Sequence, residues 1–153
     1  MALTGLLLKQ GILLFWALWL TVACLANTCD GLKACHVLGA GWKFASGNYA
    51  LMVETTQKYH TPLWLNAMLF FGVILWQGCS ALLFWSAFSA FQGVHQPGGH
   101  TLYQAFPVSL ALWAAFIIID ELFLAYETED THLRVFTAQA ISLLLLVLLP
   151  EGG

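Results

Sequence analysis

Two acidic residues stand side by side in an otherwise apolar run of this chain. The run reads AAFIIIDELFLAYETEDTH, from Ala114 to His132, and the acids are Asp120 and Glu121. Ionisable residues in a membrane span are costly and by default suggest a functional site. Three interpretations stay open: structural anchoring near a helix end, proton-linked or quinone-adjacent chemistry, and a metal site. Successive helix positions point about 100° apart, so we expect one acid to face other helices and one to face the interface.

Three histidines could join these acids as metal ligands. His36, His60, His132 and Glu121 are of the ligand types that suit zinc, copper or iron. The sequence has no compact ligand motif such as H-E-x-x-H, so only the fold could bring these four side chains together. The alternative is a structural rim, in which Arg134 and Lys58 form salt bridges with the acid pair.

The composition indicates that lipid surrounds most of the chain. Of its 153 residues, 60% are hydrophobic and 8% are charged, whereas soluble domains carry roughly 25% charged residues. Seven Trp, four Tyr and eleven Phe agree with a membrane protein, because amphipathic rings favour the interfaces. The net charge is -3 with five basic residues, which argues against a nucleic-acid partner, since that requires a basic face.

Four segments are apolar enough to cross a membrane, which takes ~20 mostly apolar residues. We predict one membrane domain of the all-α class, a four-span transmembrane helix bundle. The N-terminal segment resembles a signal peptide, but Lys9 is its only basic residue, so we expect a span there too. The predicted spans are residues 5–26, 62–91, 102–126 and 133–149.

The short link ETEDTH between spans three and four predicts an antiparallel hairpin. The alternating direction of the spans then brings the end of span three and the starts of spans two and four to one face of the membrane. We therefore expect His60, the acid pair and His132 to gather at one polar rim, with Asp120 about two turns, or roughly 9 Å, inside the end of its span.

The residues between spans one and two, 27–61, predict an ordered and partly helical interfacial loop, because they mix apolar, aromatic and small residues. Cys29 and Cys35 in this loop could form a disulfide if it faces an oxidising compartment. The alternative is two free thiols, since spacing alone does not fix disulfide geometry.

Gln77 falls near the middle of span two, where a bare amide is costly. We expect a structural hydrogen bond to another helix, with Gln139 and Ser142 of span four as the candidate partners.

The chain contains a series of short motifs in a fixed order. They are HVLGAGWKF, GNYALMVETT and YHTPLWLNAMLFF in and after the loop, CSALLFWSAF in span two, DELFLAY in span three and LLLLVLLPE near the end. Together they resemble a bacterial family of predicted small integral membrane proteins, domain of unknown function 2165. The resemblance covers most of the chain and implies four spans, but no reaction. Gln77 stands where members tend to have Glu, and Asp120 where they have Gly. The positions that match are His36, Phe44, Asn48, His60 and Glu121.

The resemblance also implies a bacterial inner membrane, with the N-terminus inside and the long loop in the periplasm. The distribution of basic residues points the other way. Four of them lie on the side of the long loop, against Lys9 on the opposite side, which by the positive-inside rule would place the loop in the cytoplasm. We adopt the orientation that the resemblance implies, with the long loop in the periplasm.

The sequence lacks G-x-S-x-G, a phosphate-binding glycine loop and C-x-x-C. Our first hypothesis is a non-catalytic accessory or scaffold subunit of a larger membrane complex of electron transfer or photosynthesis. Its partners would be other membrane-protein subunits and lipid. No cofactor is predicted outright, although the aromatic faces of the spans could bind lipid, quinone or pigment.

The alternative hypothesis is a small membrane enzyme, or a cofactor- or metal-binding protein, that uses the His/carboxylate rim at the ends of spans two to four. A transporter is disfavoured, because the sequence shows neither an internal repeat nor a pair of broken helices.

Overall fold

The computed structural model describes residues 2–91 and 99–149, and in this part of the chain the regular structure is entirely helical. Four helices are long and apolar enough to cross a membrane, and the shorter α2 precedes the second of them. The predicted all-α, four-span bundle is therefore confirmed. The α-helices are α1 (Ala2–Ala34), α2 (Asn48–Thr56), α3 (Leu63–Ala90), α4 (Leu102–Phe123) and α5 (Tyr126–Leu148).

Three of the spanning helices differ by more than one residue from the prediction, and one of them, α4, ends at Phe123 instead of residue 126. Helix α1 continues to Ala34 instead of ending at residue 26, because its polar residues beyond that point find partners in the loop that follows. Helix α5 begins at Tyr126 instead of residue 133, so ETEDTH forms its first turns. Glu127 and Glu129 lie in the first turn of α5, where the positive end of the helix dipole stabilises acidic side chains.

The hairpin between α4 and α5 consists of Leu124 and Ala125 alone. Leu124 adopts the left-handed conformation with φ 54°, and the Ala125 N–H donates to the Asp120 carbonyl at 2.8 Å. This closure satisfies carbonyls that the end of α4 would leave unpaired. It also sets α5 antiparallel to α4.

The spanning helices pack in sequence order, α1 against α3, α3 against α4, and α4 against α5, while α5 touches α1 only briefly. The core forms where Trp16 and Leu13 of α1 meet residues from the other three spans. Phe84 and Phe106 contact each other edge to face, with ring centroids 4.8 Å apart. Helix α2 lies across α1 and α3, which makes part of the long loop helical as predicted.

Candidate functional site

Most buried polar side chains in the described part of the bundle belong to two separate regions, each of which also includes a less buried partner, Asn48 or His132. The first, which we name the α1–α3 polar cluster, consists of Asn27, Asp30, Asn48 and Gln77. The second, which we name the α4–α5 polar seam, consists of Ser109, Trp113, Asp120, His132 and Gln139. Outside these regions, Thr56 Oγ1 donates to Asn66 Oδ1 at 3.0 Å, and Lys9 and Ser80 are also buried.

The α1–α3 polar cluster is a chain of amides. Asn27 Nδ2 donates to Gln77 Oε1 at 2.7 Å, and Asn48 Nδ2 donates to Asn27 Oδ1 at 2.9 Å. Gln77 thus makes the expected bond between helices, but its partner lies on α1, and the predicted partners Gln139 and Ser142 are wrong. The reason is the packing order, because α3 lies between α1 and α4, whereas α5 lies beyond α4.

Asp30 attaches the long loop to α1. Its Oδ2 accepts hydrogen bonds from Ser46 Oγ at 3.2 Å and from the Tyr49 N–H at 2.8 Å. Tyr49 lies in the first turn of α2, whose N–H groups have no partner within that helix. Asp30 therefore caps α2 from a neighbouring helix, and it is 8% exposed. Its spacing from Asn27, one turn along the same apolar run, was a signal that could have revealed this cluster.

The α4–α5 polar seam contains an acid–base pair at its outer end. Asp120 Oδ2 and His132 Nδ1 lie 2.5 Å apart, and Thr128 Oγ1 lies 3.1 Å from Asp120 Oδ1. Asp120 is buried, whereas Glu121 is exposed, so the two acids do point apart as predicted. Because α4 ends at Phe123, Asp120 is one turn inside the end of its helix, and not two.

Aromatic rings hold the imidazole of His132. Its ring stacks on Phe116, with centroids 4.6 Å apart and an interplanar angle of 16°, and lies 5.9 Å from the Trp113 ring. A carboxylate that accepts from Nδ1–H fixes the ring and its tautomer. In a neutral ring with the proton on Nδ1, Nε2 carries a lone pair that can accept a hydrogen bond or bind a metal.

The inner end of the seam is a second polar pair. Gln139 Nε2 donates to Ser109 Oγ at 2.8 Å, and both side chains are fully buried. Ser142 accepts a hydrogen bond at 3.0 Å from Trp16 Nε1 of α1. Both candidate partners of Gln77 are therefore engaged elsewhere.

The structure does not bring the four predicted metal ligands together. His36 and His60 are exposed and end helical turns at φ 59° and 53°, a left-handed conformation in which His is enriched. Among the three predicted histidine ligands, only His132 bonds a carboxylate in the described structure. That carboxylate belongs to Asp120 and not to the predicted ligand Glu121. Across residues 2–91 and 99–149, no three His, Cys, Asp or Glu side chains are grouped to hold a metal ion.

The basic residues predicted as partners of the acid pair bind elsewhere. Arg134 pairs with Asp130, four residues earlier, at 2.6 Å on an exposed surface. Lys58 Nζ donates to the Phe123 carbonyl at 2.9 Å, and the neighbouring Tyr59 hydroxyl donates to the Leu122 carbonyl at 3.0 Å. The long loop thus caps the carboxyl end of α4, where cations and donors are stabilising.

All four cysteines are free, so the structure contains no disulfide between Cys29 and Cys35. The extension of α1 explains this result. The Cys35 N–H still donates to the Gly31 carbonyl in the helical pattern at 3.0 Å. Six residues of helix separate the two Cα atoms by about 9 Å, which exceeds the limit of about 7 Å for a disulfide.

A half-open cavity of about 270 Å³ lies between α1, α2 and α3. Almost all of its surface is apolar, and Tyr49 and Phe70 meet edge to face in its wall at 5.4 Å. Such a lining accepts an acyl chain more readily than a polar ligand. Other lining residues are Gly31, Leu32, Phe71 and Ile74.

Comparisons of the chain with protein-family models, with curated proteins and with solved structures found no match. The family resemblance carried by the sequence motifs therefore stays a prediction.

Proposed function

We propose that this chain is a non-catalytic accessory or scaffold subunit of a larger membrane protein complex. The observation that carries the proposal is that the chain's own residues bury the four spans to very different extents. The chain itself buries 28% of the most apolar stretch of α1 and of α3, and 33% of that of α4, but only 11% of that of α5. Helix α5 packs along α4 and leaves its other sides to the surroundings.

The uncovered side of α5 suits another helix. Thr137, Ala138, Ile141 and Leu144 are exposed and recur at helical spacing along one side. Helices in lipid associate mainly through close packing, which small residues such as Thr and Ala permit. The buried polar bonds of the two regions described above hold the bundle in one arrangement, so this side of α5 is presented as a fixed surface.

Purification from native membranes in mild detergent tests the proposal. We expect a second membrane protein to co-purify in stoichiometric amount. Ala138→Trp should reduce its recovery at least tenfold, whereas Leu82→Trp, on the exposed side of α3, should leave recovery unchanged. A chain that migrates alone would contradict the proposal, and equal recovery with both variants would contradict the role of α5.

Electron transfer or photosynthesis is our expected setting for the complex. Large exposed rings on the spans, such as Phe15, Trp64 and Phe71, offer flat apolar surfaces on which quinones or pigments can pack. An absorption spectrum of the purified complex checks this setting. A complex without pigment, haem or quinone would remove it without affecting the subunit proposal.

The second candidate function is a small membrane enzyme or cofactor-binding protein, and the Asp120–His132 pair favours it. An imidazole oriented by a buried carboxylate and stacked on an aromatic ring is a suitable acid, base or ligand. Elemental analysis and extraction for quinone test this candidate on the protein purified alone. A metal or quinone that is lost in His132→Asn but retained in Glu121→Gln would place this candidate first.

For the location, we propose a bacterial inner membrane with the long loop in the periplasm, as the family resemblance implies. Cys35 is exposed just beyond the end of α1. A variant with Ala at Cys24, Cys29 and Cys79 leaves it as the sole thiol. An impermeant maleimide added to intact cells should label this variant. Labelling only after lysis would place the loop in the cytoplasm.

A further inference from the structure

The cavity between α1, α2 and α3 lies in one half of the membrane thickness. Its walls include positions 28–35, at the end of α1, and positions 67–74 of α3. Gln77 lies near the middle of α3 (Leu63–Ala90), so the cavity lies between the middle of that span and the face that carries the long loop. Seven residues of helix rise about 10 Å, which is about two thirds of the hydrocarbon depth of one leaflet, half of the ~30 Å core.

The opening of this cavity is continuous with the lipid-facing surface of the spans. Leu32 of α1 and Phe71 of α3 line the cavity, and they are also 37% and 60% exposed. Both helices are long and apolar enough to cross a membrane, so the surroundings of these two side chains are lipid. A lipid chain can therefore enter from the side, between the two spans.

Helix α2 closes the end of the cavity that faces the long loop. The Tyr49 ring contacts Phe70 with centroids 5.4 Å apart, and the Tyr49 N–H donates to Asp30 Oδ2 at 2.8 Å. These contacts hold α2 across α1 and α3. Tyr is enriched at the level of the lipid headgroups, so the α2 end of the cavity lies near the headgroups and the Ile74 end lies deeper in the hydrocarbon.

The lining favours an apolar occupant over water or a polar ligand. None of the described residues that line the cavity carries a charge. The Thr28 hydroxyl donates to the Cys24 carbonyl at 2.8 Å, and the neighbouring side chains of Asn27 and Asp30 are bonded within the α1–α3 polar cluster. A buried water needs two to four polar partners, and this lining does not offer them.

We propose that the cavity binds one acyl chain of a membrane phospholipid from the leaflet on the side of the long loop. The glycerol end of the lipid lies beside α2, and the chain extends along α1 and α3 toward the middle of the membrane. The volume of about 270 Å³ is close to the lower limit of about 300 Å³ for ligand pockets, which suits one chain and not a whole lipid. The bound chain fills the space beneath α2 and so fastens the long loop to the bundle.

This inference goes beyond the proposed function and does not depend on it. A bound phospholipid is measurable whether or not a partner subunit co-purifies. Loss of the partner in the α5 variant would leave the lipid in place, so the two proposals can fail separately.

Native mass spectrometry of the protein purified from native membranes tests the proposal, after detergent exchange has removed loosely held lipid. We expect one phospholipid to remain per chain. Gly31→Leu should lower this retention several-fold, since an added Cβ would already lie 3.6 Å from Phe70 Cε1 and 3.7 Å from Ile74 Cδ1. The rest of the leucine side chain must then occupy the cavity. Ala67→Leu narrows the opposite wall and serves if Gly31→Leu does not fold.

The matched control is Gly72→Leu, the same change on the exposed side of α3, where an added Cβ meets no atom within 4 Å. This variant should retain the lipid as the unmodified chain does. An unmodified chain that retains no phospholipid would overturn the proposal, as would equal retention in Gly31→Leu and Gly72→Leu. A retained quinone in place of a phospholipid would contradict the assigned occupant.

A phosphatidylethanolamine with a diazirine at the end of one acyl chain locates the bound lipid. After illumination in vesicles, detergent exchange and digestion, we expect crosslinks concentrated in residues 28–35 and 67–74. A phosphatidylglycerol with the same chain should give the same yield, because the lining has no charge with which to select a headgroup. Crosslinks spread evenly over the spans would overturn the site, and a several-fold preference for one headgroup would contradict recognition through the acyl chain.

Discussion

The α1–α3 polar cluster and the α4–α5 polar seam both bury polar side chains between spanning helices, but they differ in what those side chains can do. Three amides and one carboxylate form the cluster, and none of them leaves a buried atom unpaired within the described chain. The seam contains an acid–base pair and two buried atoms without a protein partner.

This difference distinguishes a region that fixes the positions of helices from a region whose groups can take part in chemistry. A fully paired set of amides fixes positions, and here it fixes the long loop and α2 on the end of α1. A set with a carboxylate, an imidazole and unpaired atoms can exchange protons or accept a ligand. If the chain has chemistry of its own, we therefore expect it in the seam.

Gln77→Leu should have the largest effect on stability, because it leaves Asn27 Nδ2 buried without an acceptor. An unpaired buried donor costs about 2–3 kcal/mol, which thermal unfolding in detergent would show as a clear fall in Tm. The matched control is Gln139→Leu, which loses one bond to Ser109 but also removes an acceptor that has no protein partner. An equal fall in both variants would remove the distinction between the two regions.

A double substitution sharpens the same comparison. Replacing both partners of a buried hydrogen bond by apolar residues of similar shape is nearly neutral. Asn27→Leu combined with Gln77→Leu should therefore recover part of the stability that Gln77→Leu loses. Purely additive losses would mean that the two amides act independently.

Asp120→Ala comes next, with an expected loss of about 1.5–2 kcal/mol, in the lower half of the range of about 1.5–3 kcal/mol for a hydrogen bond to a charged group. Asp120→Asn should lose less, because its carbonyl oxygen can still accept from His132 Nδ1–H. The ¹⁵N shifts of His132 report whether the tautomer survives. If the alanine variant keeps the same tautomer and the same Tm, Asp120 does not position the imidazole.

Asp30→Ala should cost about 1 kcal/mol, the usual loss for a helix cap. Because Asp30 holds α2 and the preceding loop, the effect should appear first as faster proteolysis between residues 35 and 47. Glu54→Ala on the exposed side of α2 is the control. Unchanged cleavage in Asp30→Ala would show that the amide chain alone holds the loop.

Arg134→Gln should have the smallest effect, below about 0.5 kcal/mol, because its pair with Asp130 is exposed to solvent. A loss of Tm larger than that of Asp120→Ala would indicate that the outer surface of the α4–α5 hairpin contributes more to stability than its buried seam. The same thermal measurement serves for this variant.

Several features of the fold could be predicted because they depend on residues close together in the chain. Apolar length determined the four spans. The closeness of spans three and four determined the hairpin, although its turn consists of Leu124 and Ala125 and not of ETEDTH. The angular step of a helix determined that Asp120 and Glu121 point apart. The ends of α1 and α5 could not be predicted from hydropathy, since Asn27, Asp30 and the acids of ETEDTH are polar yet helical. Their helical state depends on partners in the loop and at the helix end.

The sequence by itself determined the membrane environment, the number of spans and the presence of polar groups inside them. Only the tertiary structure decided which of two adjacent acids is buried, that Gln77 bonds Asn27 of α1, and that His132 bonds Asp120 while His36 and His60 remain on the surface. The reason is physical: composition and helical period act along one segment, whereas the choice of a partner depends on the order in which separate helices pack.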